Sequence, residues 1–167
     1  MSYAQLYYHL VWSTRREEPL LTARIEPIVY DAIRWKAVEL DGVVFALNGT
    51  TTHLHVVAGI PPWLAVAAFV AQLKNAAAAR FNRLSPVDPL QWAEEYGVMT
   101  LDGKRVSHVM TYVERQKEHH ETGTLIPILE RTNDQPVKPI TLREMAPDYF
   151  VEDEAAVWWE ALLVASD

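Results

Sequence analysis

The sequence predicts an α+β fold: a split β-α-β arrangement on an antiparallel sheet, with one added helix and a C-terminal extension. Three observations carry that prediction. Short runs of branched and aromatic residues alternate with stretches of helical period in the order β-α-β-β-α-β, and a further helix follows. Two of the strand-like runs meet at Asn48-Gly49, a pair that tolerates positive φ and favours a hairpin. The charge divides along the chain. Residues 1–120 hold 12 Lys/Arg and 12 Asp/Glu with all 6 histidines, whereas residues 121–167 hold 3 and 10, the whole net charge of −7.

Each element has its own signal. The first strand is read over 3–13, where Tyr7, Tyr8, Leu10, Val11 and Trp12 precede the polar Thr14-Arg15-Arg16. Pro19 and Thr22 open a helix over 25–40 with Ile25, Ile28, Val29, Ala32 and Ile33 at helical spacing, and Asp41-Gly42 ends it. Strands follow over 43–47 and 51–60. Pro61-Pro62 break the chain before a long helix over 64–84, apolar along Phe69, Val70, Leu73, Ala77 and Phe81. A loop at 85–89, a strand at 96–101 and the Asp102-Gly103 turn lead into a single helix over 106–120, whose buried stripe is Val106, Val109, Met110 and Val113. The order is the ferredoxin-like plan with one added helix. Pro127, Pro136, Pro139 and Pro147 then mark an extended tail that finishes in an apolar helix over 152–165, expected to dock through Val157, Trp158, Leu162 and Leu163. The expected division is a domain over 1–125 and an acidic extension over 126–167.

Composition narrows the function. At 167 residues the chain can bury a core without a disulfide or a structural metal. Half of it is hydrophobic and 22% charged, which excludes a disordered protein. The absence of cysteine excludes a disulfide scaffold, a thiolate zinc site and a cysteine nucleophile. The N-terminus lacks a basic leader, and the longest apolar run, 60–71, is too short for a bilayer, so a soluble, cytoplasmic protein with no membrane partner is expected. The neutral first part can carry a basic surface for nucleic acid although the overall pI is near 5.3.

Two constellations bear chemistry. His53-Leu54-His55 sits mid-strand, and a period of two puts both imidazoles on one face, half of a metal site. Tyr112 and Gln116 are four apart on one helix, so they share a stripe turned sideways from the buried face, with His108 and His119 beside them. Spacing alone leaves a bland alternative, a solvated histidine pair and a surface tyrosine. Trp12 reads as core and Tyr96 as structural. Basic residues suited to phosphate are Arg15, Arg16, Lys74, Arg80 and Lys117.

Four segments resemble one family: Tyr7-Tyr8-His9-Leu10-Val11-Trp12-Ser13-Thr14-Arg15-Arg16, His53-Leu54-His55-Val56-Val57, Phe69-Val70-Ala71-Gln72-Leu73-Lys74, and Tyr112-Val113-Glu114-Arg115-Gln116-Lys117-Glu118-His119-His120. They are similar to the single-tyrosine HUH transposases of the insertion sequence 200 type, REP-associated tyrosine transposases included, over about residues 3–131. The resemblance implies nicking and rejoining of single-stranded DNA at hairpin-marked ends, usually by a homodimer. It places the catalytic tyrosine at Tyr112, forming a 5′-phosphotyrosine, and the ligands of a divalent cation, Mg2+ or Mn2+, at His53, His55 and Gln116. Asn75 and His119 join the basic residues as expected DNA contacts. The chain departs from the family in three places: Thr52 where an acidic residue is common, Asn75-Ala76-Ala77 where Gly and a hydroxyl residue usually follow the lysine, and Glu94-Glu95 before Tyr96-Gly97. A domesticated DNA-binding protein with the same fold is the alternative function. A hydrolase built on His53, His55 and His119 or His120 ranks last, because no carboxylate base stands at matching spacing.

Overall fold

The structure, a computed structural model, describes residues 3–133. In chain order these form β1 (Tyr7–Ser13), a 3-10 turn (Arg15–Glu17), α1 (Glu26–Glu39), β2 (Val43–Gly49), β3 (His53–Gly59), α2 (Val66–Asn82), β4 (Gly97–Leu101), α3 (Val106–Glu114) and α4 (Gln116–Thr122). The four strands pair antiparallel in the order β2-β3-β1-β4, the sheet of the expected ferredoxin-like plan. Of the acidic extension expected over 126–167, the part beyond residue 133, with its helix over 152–165, lies outside the described residues.

β1 and β3 are central, and both are buried on their two faces. Alternation sorts their side chains. Leu10, Trp12, Leu54, Val56 and Ala58 join Val29 and Ile33 of α1 and Phe69, Leu73 and Ala77 of α2 in one apolar core. His9, Val11, His53, His55 and Val57 have the opposite parity. On that second side α3 packs along β2 and β3, burying Val109, Tyr112 and Val113.

Two local readings need correction. The hairpin turn lies later than Asn48-Gly49: both residues stay in β2, paired with His55 and Leu54, and the turn is 50–52. Gly49 serves a different need, since a Cβ there would run into the His53 carbonyl. The Thr50 N–H, donating to the His53 carbonyl at 2.9 Å, closes the turn and starts β3 at His53.

The single helix expected over 106–120 is two. α3 stops at Glu114, Arg115 leaves helical geometry (φ −98°, ψ 18°), and α4 begins at Gln116. The Asn48 amide donates to the Glu114 carbonyl at 2.7 Å and its oxygen accepts from Lys117 Nζ at 2.9 Å, so β2 fixes the break. Gly123 then takes φ 71° as the left-handed cap of α4, and the Thr124 N–H donates to the His119 carbonyl at 3.0 Å. The chain returns as a strap over 124–133 with Leu129 fully buried. Gly97 of β4 admits it, because a Cβ at that position would collide with the Arg131 carbonyl.

Candidate active site

The strap delivers Glu130 to the second side of the sheet, and the sequence-predicted residues converge on its carboxylate. Oε1 accepts hydrogen bonds from the Tyr112 hydroxyl and from Gln116 Nε2, the latter at 2.7 Å. Oε2 lies 3.2 Å from His55 Nε2, 3.5 Å from His53 Nε2 and 3.6 Å from His120 Nε2. The break at Arg115 puts Tyr112 and Gln116 on different helices, yet both reach the same oxygen.

Two of the imidazoles, His55 and His53, are held from behind. His55 Nδ1 shares a 2.9 Å hydrogen bond with His9 Nε2, both side chains being buried, which turns His55 Nε2 toward the site. His53 Nδ1 sits 2.9 Å from Thr50 Oγ1 and 3.1 Å from Thr52 Oγ1. The hydroxyl at position 52, a departure from the family pattern, thus still orients the histidine. His119 stacks on the Tyr112 ring at 4.5 Å between centroids, and the Ile126 N–H donates to the Tyr112 hydroxyl at 3.2 Å.

Burial sets the protonation states. It pushes His9 down to about 3, with His55 adding to the effect, and it pushes His55 down as well, so both rings are neutral. Burial and the hydrogen bond to Glu130 push the Tyr112 phenol up. Burial also opposes ionisation of Glu130, but the imidazoles of His53 and His55 facing Oε2 and the hydrogen bond from Tyr112 outweigh it and hold the carboxyl well below its ordinary range.

Two atoms here are left over. Among the described residues the buried side-chain polar atoms without a hydrogen-bond partner are Trp12 Nε1, His55 Nε2 and Gln116 Oε1. Unpaired buried polar atoms are costly and rare. His55 Nε2 and Gln116 Oε1 both suit a divalent cation, and His53 stands beside them; the residues fit the cation that the resemblance implies.

The expected DNA contacts are scattered. Arg15 and Arg16 are exposed on the 3-10 turn, where Arg15 Nη1 donates to Gln91 Oε1 at 2.6 Å and Arg16 takes φ 56°. Asn75 and Arg80 are exposed on α2, across the sheet from Tyr112. Lys117 is exposed and pairs with Glu26 at 2.9 Å. Lys74 is buried: its ammonium donates to the carbonyls of Ala93, Glu94 and Glu95 at 2.9, 3.2 and 3.2 Å, tying down the loop before β4. Sequence reasoning missed Glu130 and His9 and left His120 undecided. A histidine inside an apolar strand, in step with Val11, was a usable signal for His9. No spacing rule marks Glu130.

The IS200-like transposase family model matches residues 2–116. The ISDra2 transposase TnpA of Deinococcus radiodurans is 24% identical over 120 residues, which cover 68% of this chain and 86% of that protein. Two solved structures share the fold. One, of a candidate transposase from Deinococcus radiodurans, has a TM-score of 0.56 at 24% identity and covers 70% of this chain and 95% of that one. The other, of a REP-associated tyrosine transposase bound to a REP hairpin, has a TM-score of 0.54 at 15% identity and covers 90% and 89%. The family match takes in both histidines of His53-Leu54-His55, Tyr112 and Gln116, and on it the chain belongs to the IS200-like transposases.

Proposed function

We propose that this transposase nicks and rejoins single-stranded DNA with Tyr112 as nucleophile, aided by a divalent cation, Mg2+ or Mn2+, held by His53, His55 and Gln116. The observation that carries the reading is that the Tyr112 hydroxyl shares Glu130 Oε1 with Gln116, while His55 Nε2 and Gln116 Oε1 stand buried and unpaired beside it. A bound cation would polarise a phosphate oxygen, and His53, His55 and Gln116 add no negative charge of their own to it.

The chain's own residues do the rest. Tyr112 Oη attacks phosphorus; a phosphotyrosine bond forms on the 5′ side and the bond to the 3′ oxygen breaks, freeing a 3′-OH. The covalent bond keeps the phosphodiester's energy, so another 3′-OH can reverse the step without a nucleotide cofactor. His119, stacked on the phenol ring, and the Ile126 N–H hold the nucleophile in place. DNA with hairpin ends as substrate, a homodimer as the working form and a cytoplasmic location belong to this same reading. They are supported by the family resemblance and, for hairpins, by the REP hairpin bound to the solved relative. No helix among the described residues is long and apolar enough to cross a membrane.

The test compares the wild type with Tyr112→Phe on labelled hairpin oligonucleotides in Mn2+, read on denaturing gels. The wild type should form a covalent adduct and the variant none. An adduct with Tyr112→Phe would refute the nucleophile; cleavage without any adduct would favour a hydrolase; no reaction by the wild type, with binding retained, would favour the domesticated DNA-binding protein. Light scattering on the same samples reads the dimer.

A further inference from the structure

We propose that Glu130 and His120 are themselves cation ligands, so that the site is a mixed imidazole and carboxylate centre selective for a transition-metal ion over Mg2+. The inference deepens the proposed function and rests on it only in that a divalent cation binds here.

The geometry points this way through three separations. His53 Nε2, His120 Nε2 and Glu130 Oε2 stand 3.1, 3.5 and 3.6 Å apart, pairwise. Ligand atoms bound at about 2.0–2.2 Å to one tetrahedral ion lie about 3.4 Å apart along an edge. The three atoms therefore have the spacing of one face of a coordination shell. As hydrogen bonds to a carboxylate, the histidine contacts at 3.5 and 3.6 Å are long, since charge-assisted N–H···O bonds run at about 2.7–2.9 Å. His55 Nε2, buried and unpaired, approaches the same Oε2 at 3.2 Å.

The elements that bring these atoms together are built for it. Thr50 and Thr52 fix His53 through Nδ1, leaving Nε2 forward. His120 lies on α4, whose start is set by the Asn48 clamp. Glu130 rides on a strap seated by buried Leu129 and by the missing Cβ of Gly97. Its two oxygens divide the work: Oε2 faces the imidazoles, and Oε1 holds the Tyr112 hydroxyl. The carboxylate would thus link the ion to the nucleophile through one rigid group. Imidazole nitrogen favours Mn2+ and later transition ions over Mg2+, which prefers oxygen and keeps its water.

Calorimetric titration of the full chain with MnCl2 and with MgCl2 at pH 7.5, without DNA, tests this. The variants are Glu130→Gln, which keeps an oxygen for Tyr112, His120→Ala, and Glu94→Gln as an exposed control. The wild type should prefer Mn2+ by tenfold or more. Glu130→Gln and His120→Ala should each weaken Mn2+ by about 10- to 100-fold, and Glu94→Gln should change nothing. Circular dichroism confirms that each variant is folded. Mn2+ affinity within threefold of wild type in both variants would overturn the proposal while leaving the Tyr112 assignment standing. Tighter Mn2+ binding by Glu130→Gln would also overturn it, since the carboxylate would then be an obstruction. A wild type that binds no Mn2+ would remove the cation from the proposed function together with this inference.

Discussion

The two faces of the sheet are built on different principles. On one, α1 and α2 close over Leu10, Trp12, Leu54 and Val56 with side chains whose only requirement is shape. On the other, α3, α4 and the strap close over His9, His55, Gln116 and Glu130, polar groups that need a partner for every atom. Among the described residues the apolar face leaves one buried polar atom unpaired, the Trp12 indole N–H, and the polar face leaves His55 Nε2 and Gln116 Oε1. One strand can serve both because its side chains alternate, so β3 presents Leu54 and Val56 to the core and His53 and His55 to the proposed site. The main apolar cluster lies on one face and the proposed site on the other.

The sharpest way to break that division is to hollow the apolar face. Phe69→Ala empties a fully buried ring position and should cost about 3–5 kcal/mol in urea unfolding. Mn2+ affinity of the folded variant should stay unchanged; a large loss of affinity would show that the faces are coupled.

Lys74→Met is next. It strands the carbonyls of Ala93, Glu94 and Glu95 and should cost about 1–3 kcal/mol. If Lys74 serves this loop, the salt dependence of single-strand binding, read by fluorescence anisotropy, stays as in the wild type. A slope reduced by about one would return Lys74 to the phosphate contacts.

Acid should strain the polar face alone. His9 and His55 are pushed below their ordinary value by burial, so below about pH 6.5 the unfolded chain binds protons that the folded chain excludes. Stability must then fall as pH falls, by up to about 1.4 kcal/mol per pH unit for each histidine, down toward the folded value near 3 for His9. Urea midpoints at pH 7.5, 6 and 5 check the sign, and His9→Phe should flatten the slope.

The smallest effect expected is at the clamp. Asn48→Ala frees the Glu114 carbonyl and should cost about 1 kcal/mol, with a several-fold loss of covalent adduct as Tyr112 and Gln116 lose their fixed relation. An adduct yield equal to wild type would mean that the break at Arg115 does not depend on β2.

Periodicity and composition, read along the chain, were enough for the element order, the split β-α-β plan and the pairing of His53 with His55, because a strand's alternation is a local property. Tyr112 and Gln116 were legible as residue types at a spacing, though the helix they were expected to share is broken after Glu114, whose carbonyl is bound by a side chain 66 residues away in sequence, Asn48. No local pattern could place that break. Nor could one place the hairpin turn, which lies past Asn48-Gly49 because both residues pair with β3; Gly49 is needed there because a Cβ would meet the His53 carbonyl. Glu130 is the extreme case: its neighbours Leu129 and Arg131 say nothing of metals or phosphates, and it reaches the histidines only because Gly97 lets the strap lie against β4. What the sequence determined by itself was which groups had short-range geometric reasons to act together. Which distant groups complete them was decided by tertiary packing, since a carboxylate's surroundings are set by the chain that folds over it and not by the chain that flanks it.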